Sequence, residues 1–281
     1  MWNLSRLAVW IAVALAVPLA GCAAHHSTPT ADDDQNLAED GTDTSAVEND
    51  TETLSSSFIA AGGTLGLASA GELTGGTLAA ANFGDAVRSI YVPAGCLTVT
   101  NDATAHTATY AFDKCSGPYG LLNVTGKVVV NYVSSATSLV LDFTGTDLQV
   151  NRATVNWAAH AEIVAGRLGQ RTMTWRAQLT GTTARGRAFT RNNSMTIAWT
   201  VGGECVLVNG ASDGDVSGRN LHTDVISYSR CKGQCPADGS EIRVTNTNNG
   251  RSIDLKYNGG TSATFTAPDG TQSPVTLTCG G

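Results

Sequence analysis

From Cys96 onward, apolar and polar residues alternate with a period of two. Val155, Trp157, Ala159, Ala161 and Ile163 interleave with Asn156, Ala158, His160 and Glu162. Met173, Trp175, Ala177 and Leu179 interleave with Thr174, Arg176 and Gln178, and Met195, Ile197, Trp199 and Val201 repeat the pattern. Strict alternation marks half-buried antiparallel strands, one face on a core and one in water. Turn residues between the runs predict a meander of about ten to fourteen strands. The fold expected is all-β: an antiparallel meander forming a barrel-like sheet or a sandwich, with a short N-terminal helix. A hairpin centred on Gly166 sets Trp157 opposite Trp175. A second turn near Gly186 brings Trp175 opposite position 197, so three tryptophans are expected to form a rib on the apolar face. Asn249-Gly250 and Pro268-Asp269-Gly270 are further turn signals. The pairs Thr125-Gly126, Thr144-Gly145 and Thr180-Gly181 point to bulges or tight bends.

Upstream the pattern changes. Leu78, Ala81, Asp85 and Arg88 fall at helical spacings, predicting a short helix over 78–90 that Pro93 stops. Residues 23–57 hold nine acidic residues and no Lys or Arg, with few apolar ones. Such a stretch buries too little surface to offset the entropy of ordering, so a disordered spacer is expected. At the start, Arg6 precedes an apolar run from Leu7 to Val17 that ends in Leu19-Ala20-Gly21-Cys22. The layout is that of a secretory signal, and the run is too short for a spanning helix. Leu19-Ala20-Gly21-Cys22 resembles the lipobox of bacterial lipoproteins, which implies cleavage before Cys22, lipidation of Cys22 (palmitate among its acyl chains) and a membrane anchor. Ala23, where inner-membrane lipoproteins of the enterobacterial kind carry aspartate, implies the outer membrane. The organisation expected is a lipoprotein signal peptide over 1–21, a lipidated cysteine and acidic tether over 22–57, and a disulfide-stapled ectodomain over 58–281.

Charge and cysteines refine this picture. The formal net charge is −7, yet the acidic tether alone carries −9. Beyond residue 57, sixteen basic residues stand against fifteen acidic ones, so general polyanion binding is not implied. With Cys22 assigned to lipid, Cys96, Cys115, Cys205, Cys231, Cys235 and Cys279 remain. An even number in an exported chain points to disulfides. The midpoint of Cys205 and Cys231 falls on Gly218, within a turn, so these two can bridge one hairpin. Cys96 and Cys115 flank the turn near Asn101-Asp102, which leaves Cys235 for Cys279. Cys231 and Cys235 have zinc-ligand spacing but no second pair or nearby histidine, so no metal and no cofactor are expected.

Catalytic signals are weak. Gly210-Ala211-Ser212-Asp213-Gly214 fits G-x-S-x-G, but no helix pattern follows it, as a nucleophile elbow needs. A polar hairpin loop is the expectation there, and a calcium site at Asn209–Asp215 would lack the distal glutamate. His106, His160 and His222 are the ectodomain's histidines, and no partner is adjacent in sequence. Between Glu162 and Glu204 every charged residue is an arginine: Arg167, Arg171, Arg176, Arg185, Arg187 and Arg191. These can form a basic edge toward phosphate or acidic polysaccharide, or simply occupy the wet face of exposed strands. Tryptophans in core phase argue against nucleic acid and against a sugar platform. The segment Phe112-Asp113-Lys114-Cys115-Ser116-Gly117-Pro118-Tyr119-Gly120, followed by Val124-Thr125-Gly126, resembles one found in uncharacterised predicted bacterial lipoproteins. That resemblance implies a shared exported β-domain and no mechanism. The function expected is a non-enzymatic binding, adhesion or structural module of the cell envelope, partnered by membrane and by envelope glycan, lipid or protein. The competing expectations are a lipid or glycolipid carrier with an apolar cavity lined by Trp157, Trp175 and Trp199, and a cell-envelope hydrolase.

Overall fold

In the computed structural model, residues 29–62, 87–88, 91–117, 122–135, 138–200, 203, 205–231 and 234–277 are described. The signal segment, Cys22, Cys279 and most of the helix expected over 78–90 lie outside them; Val87 and Arg88 are helical. Among the described residues, thirteen strands follow one another in a single antiparallel meander, each paired with its sequence neighbours. They are β1 (Leu97–Asp102), β2 (Thr107–Ser116), β3 (Asn123–Ser134), β4 (Ser138–Val150), β5 (Ala153–Ala165), β6 (Gln170–Thr182), β7 (Ala188–Thr200), β8 (Cys205–Val216), β9 (Arg219–Cys231), β10 (Glu241–Asn246), β11 (Arg251–Tyr257), β12 (Ser262–Thr266) and β13 (Gln272–Thr276). The sheet is open, since β1 and β13 each have one partner. The alternation in β5 and β6 becomes alternating buried and exposed side chains, as the period-two pattern requires.

The tryptophan rib is corrected. The β5–β6 hairpin pivots on Leu168, in a 3-10 turn over Arg167–Gly169, rather than on Gly166. A two-residue displacement of the pivot moves every partner by four, so Trp157 faces Leu179 and Trp175 faces Ala161. The β6–β7 hairpin pivots on Arg185, which sets Trp175 opposite Met195 and Trp199 opposite Arg171. Trp157 and Trp175 still meet diagonally, with ring centroids 6.3 Å apart and Phe143 stacked on Trp157 at 5.3 Å. Gly145 faces Trp157 across the β4–β5 ladder. Both indoles are fully buried, while Trp199 is partly buried against the same core.

The acidic stretch expected to be a disordered spacer is instead an α-helix, α1 (Pro29–Gly62). Pro29 starts it, where a missing N–H is not needed. Gly41, Asp43, Thr44, Ser45, Val47, Glu48 and Thr51 are all buried. At 100° per residue these positions spread over more than half of the circumference, roughly, where a flat sheet would cover one stripe. The sheet is therefore curved around α1. Local rules make such a helix a poor prospect, because Asp, Thr and Ser compete with helical hydrogen bonding. Tertiary contacts override them. Thr44 Oγ1 donates to the Asp40 carbonyl at 2.8 Å and Ser55 Oγ to the Thr51 carbonyl at 2.7 Å, so buried hydroxyls are satisfied within the helix. The buried carboxylates are satisfied by the sheet.

Candidate functional site

The β4–β5, β6–β7, β8–β9 and β10–β11 turns lie at one end of the sheet, and α1 crosses the buried face along that end. Asp34 meets Arg251 at the start of β11 at 2.5 Å, and Asp50 accepts from Asn151 Nδ2 in the β4–β5 turn at 2.7 Å. Between them Asp40, itself buried, takes both Arg187 and Arg219. Glu39 pairs with Arg185 at 3.0 Å and Arg187 at 2.7 Å, and Asp43 with Arg185 at 3.3 Å. Glu48 Oε1 receives Arg191 Nε at 2.5 Å and the Ser212 hydroxyl at 2.7 Å. Arg191, with no exposed side-chain surface, also donates to the Leu221 carbonyl at 2.7 Å and to Thr223 Oγ1 at 2.8 Å. Burial raises the carboxyl of Asp43 despite Arg185 and Arg187, and raises that of Asp50 to about 6, opposed only by the Asn151 hydrogen bond.

Ladder pairing divides the buried face. One row runs Gly145, Trp157, Leu179, Arg191, Gly214, Leu221 across β4 to β9. The next runs Phe143, Ala159, Ala177, Asn193, Ser212, Thr223. In these two rows the β4–β6 half is apolar, with small alanines beside the large indoles. The β7–β9 half carries a cation, an amide and two hydroxyls.

This placement corrects the expected arginine edge. Arg171 and Arg191 are buried, the former donating to the Gln170 carbonyl at 2.8 Å. Arg185, Arg187 and Arg191 face the acids of α1. Arg167, in the β5–β6 turn, and Arg176, on β6, are exposed to solvent. The expected hairpin loop at Gly210–Gly214 is also corrected. These residues lie inside β8, and Ser212 is fully buried, donating toward Glu48 and Asn193 rather than standing exposed as a nucleophile.

On the opposite face of the sheet, Asp142, His160, Arg176 and Ser194 form a cross-strand row on β4 to β7. Beside it run Thr144, Ala158, Gln178 and Asn192. Together they line a groove of about 520 Å³. His160 Nδ1 lies 2.7 Å from Asp142 Oδ1, and both side chains are about half exposed. Ser194 stands two strands from His160 with Arg176 between, about 10 Å away. A histidine-activated serine needs hydrogen-bond contact, so these residues do not compose a triad. On the same face His222 sits between Asp213 (2.5 Å) and Asp224 (3.1 Å). The hydrogen bond to Asp213 chiefly raises its affinity for a proton, against partial burial. His106 lies in the β1–β2 turn, edge-on to Tyr132 at 5.6 Å. Among the described residues, no group of three or more His, Cys, Asp and Glu is arranged to hold a metal ion.

Disulfides join Cys96 to Cys115 and Cys205 to Cys231. Cys205 and Cys231 are direct cross-strand partners on β8 and β9, about the turn at Ser217-Gly218. Cys235 is disulfide-bonded as well. Among the described residues no helix is long and apolar enough to cross a membrane. Compared with known proteins, the chain matches no family model, no curated protein and no solved structure.

Proposed function

We propose that this protein is an exported lipoprotein, anchored through Cys22 in the outer membrane, whose β-domain is a non-enzymatic binding module of the cell envelope. Its partner on this reading is an acidic envelope glycan. The observation that carries the reading is the outer groove on β4–β7. Arg176, Gln178, Asn192, Ser194 and Thr144 offer directional donors around the small floor of Ala158, with Asp142 and His160 at one end. Fixed donors and acceptors on strands, with one guanidinium, suit hydroxyls and a carboxylate. The serine and histidine of the groove are too far apart to act as nucleophile and base. The disulfides support an oxidising compartment beyond the inner membrane.

Calorimetric titration of the mature protein with galacturonate oligomers tests the binding claim. Saturable binding is expected, weakened at least tenfold in Arg176→Gln, whose side chain is exposed and not needed for folding. Equal binding by both chains, or release of new reducing ends during incubation, would contradict it. Palmitate labelling tests the anchor: label is expected on the native protein and absent from Cys22→Ser.

A further inference from the structure

α1 is a poorly apolar occupant of an amphiphilic site. Among its described residues the buried apolar side chains are Leu37, Val47 and Leu54, while Asp40, Asp43, Glu48 and four hydroxyl residues are buried beside them. The helix is held largely by carboxylates seated on Arg187, Arg191 and Arg219. Buried ion pairs of this kind gain little net stability, because desolvation offsets attraction. The face beneath is ordered differently: a cation with hydroxyls on β7–β9, then Leu179, Trp157, Trp175 and Phe143 on β6 to β4. That sequence of surfaces matches a carboxylate head joined to a hydrocarbon chain.

We propose that the buried face of the sheet is a binding site for a fatty-acyl carboxylate, and that α1 is its intramolecular occupant, with Glu48 standing where the ligand's carboxylate sits on Arg191 and Ser212. Displacement of α1 lets the acyl chain cover the β4–β6 half. The inference is independent of the glycan reading of the outer groove, which lies on the opposite face. It accounts for two features together: a buried Arg191 ringed by hydroxyls beside an apolar half of the same face, and a polar helix enclosed by a curved sheet. A ligand that binds only the helix-released state is weakened by the fraction of time that state is populated, so loosening the helix raises apparent affinity.

The test uses the full mature chain and cis-parinarate, whose fluorescence rises in apolar surroundings and accepts energy from nearby tryptophan. Asp40→Asn with Glu48→Gln removes the negative charges and keeps the shapes. This double variant is expected to bind parinarate at least tenfold more tightly than the native protein, with energy transfer from Trp157 and Trp175. Adding Arg191→Gln is expected to reverse the gain, and parinarate methyl ester is expected to show none. Equal affinity in native and double variant, or equal binding of acid and ester, would overturn the proposal. Should the variants misfold, the native chain still decides: saturating parinarate is expected to open Glu48 to a glutamate-specific protease. Continued protection of that bond at saturation would equally overturn it.

Discussion

At the residue scale, Asp40, Asp43 and Glu48 of α1 are buried against arginines, whereas partly buried Asp50 has no cation beside it among the described residues. Burial raises its carboxyl to about 6, against an ordinary value near 3.8. The folded state therefore holds an extra proton between roughly pH 4 and 6, and the stability tied to this group declines as pH rises through that window. Above it, the ionised carboxylate is a standing cost. Asp50→Asn keeps an acceptor for Asn151 and removes the charge. Denaturant titrations at pH 7.5 should show the variant more stable by about 1–2 kcal/mol, after allowance for partial solvent contact. At about pH 4 and below the two chains should converge. Asp40 and Glu48 differ in kind, because arginines meet them directly.

At the element scale, hairpins explain what was legible in the sequence and what was not. The β8–β9 turn is Ser217-Gly218, both with positive φ, a two-residue geometry matched to strand twist. Midpoint arithmetic about Gly218 placed Cys205 opposite Cys231, and the register shift between Val208 and Gly210 supplies the one residue by which this differs from the turn's own centre. The β5–β6 turn contains no equally tight signal, and its 3-10 geometry pivots on Leu168, so the same arithmetic from Gly166 misplaced Trp157 and Trp175. The helix α1 was illegible to local rules, since its apolar residues have no helical stripe. Its signal was nonlocal: nine acids in one segment and an arginine-only stretch in another. The outer groove was half legible, because His160 and Arg176 were assigned to the wet face, while their adjacency to Ser194 and Asn192 depends on register. The Cys205–Cys231 bridge closes a separation of 26 residues. Cys205→Ser with Cys231→Ser should lose about 2–3 kcal/mol in unfolding titrations without reductant. Unchanged stability would mean that the ladder alone fixes β8 on β9.

At the scale of the whole molecule, charge separated along the chain is brought together in space. The acidic segment and the arginines from the β6–β7 turn to β11 neutralise one another across the buried face, which wraps an open thirteen-strand sheet around α1. The outer groove stays free for a partner while the inner face is covered, so the two faces can serve different ligands. Hydrogen exchange over residues 40–55 in the free native protein at neutral pH tests this arrangement most directly. Protection well above that of an unstructured chain is the result the account predicts, since the helix exchanges only when its carboxylates leave their arginines. Exchange at the rate of an unstructured chain would contradict it, returning the acidic segment to a solvated spacer and leaving Arg191 without its partner.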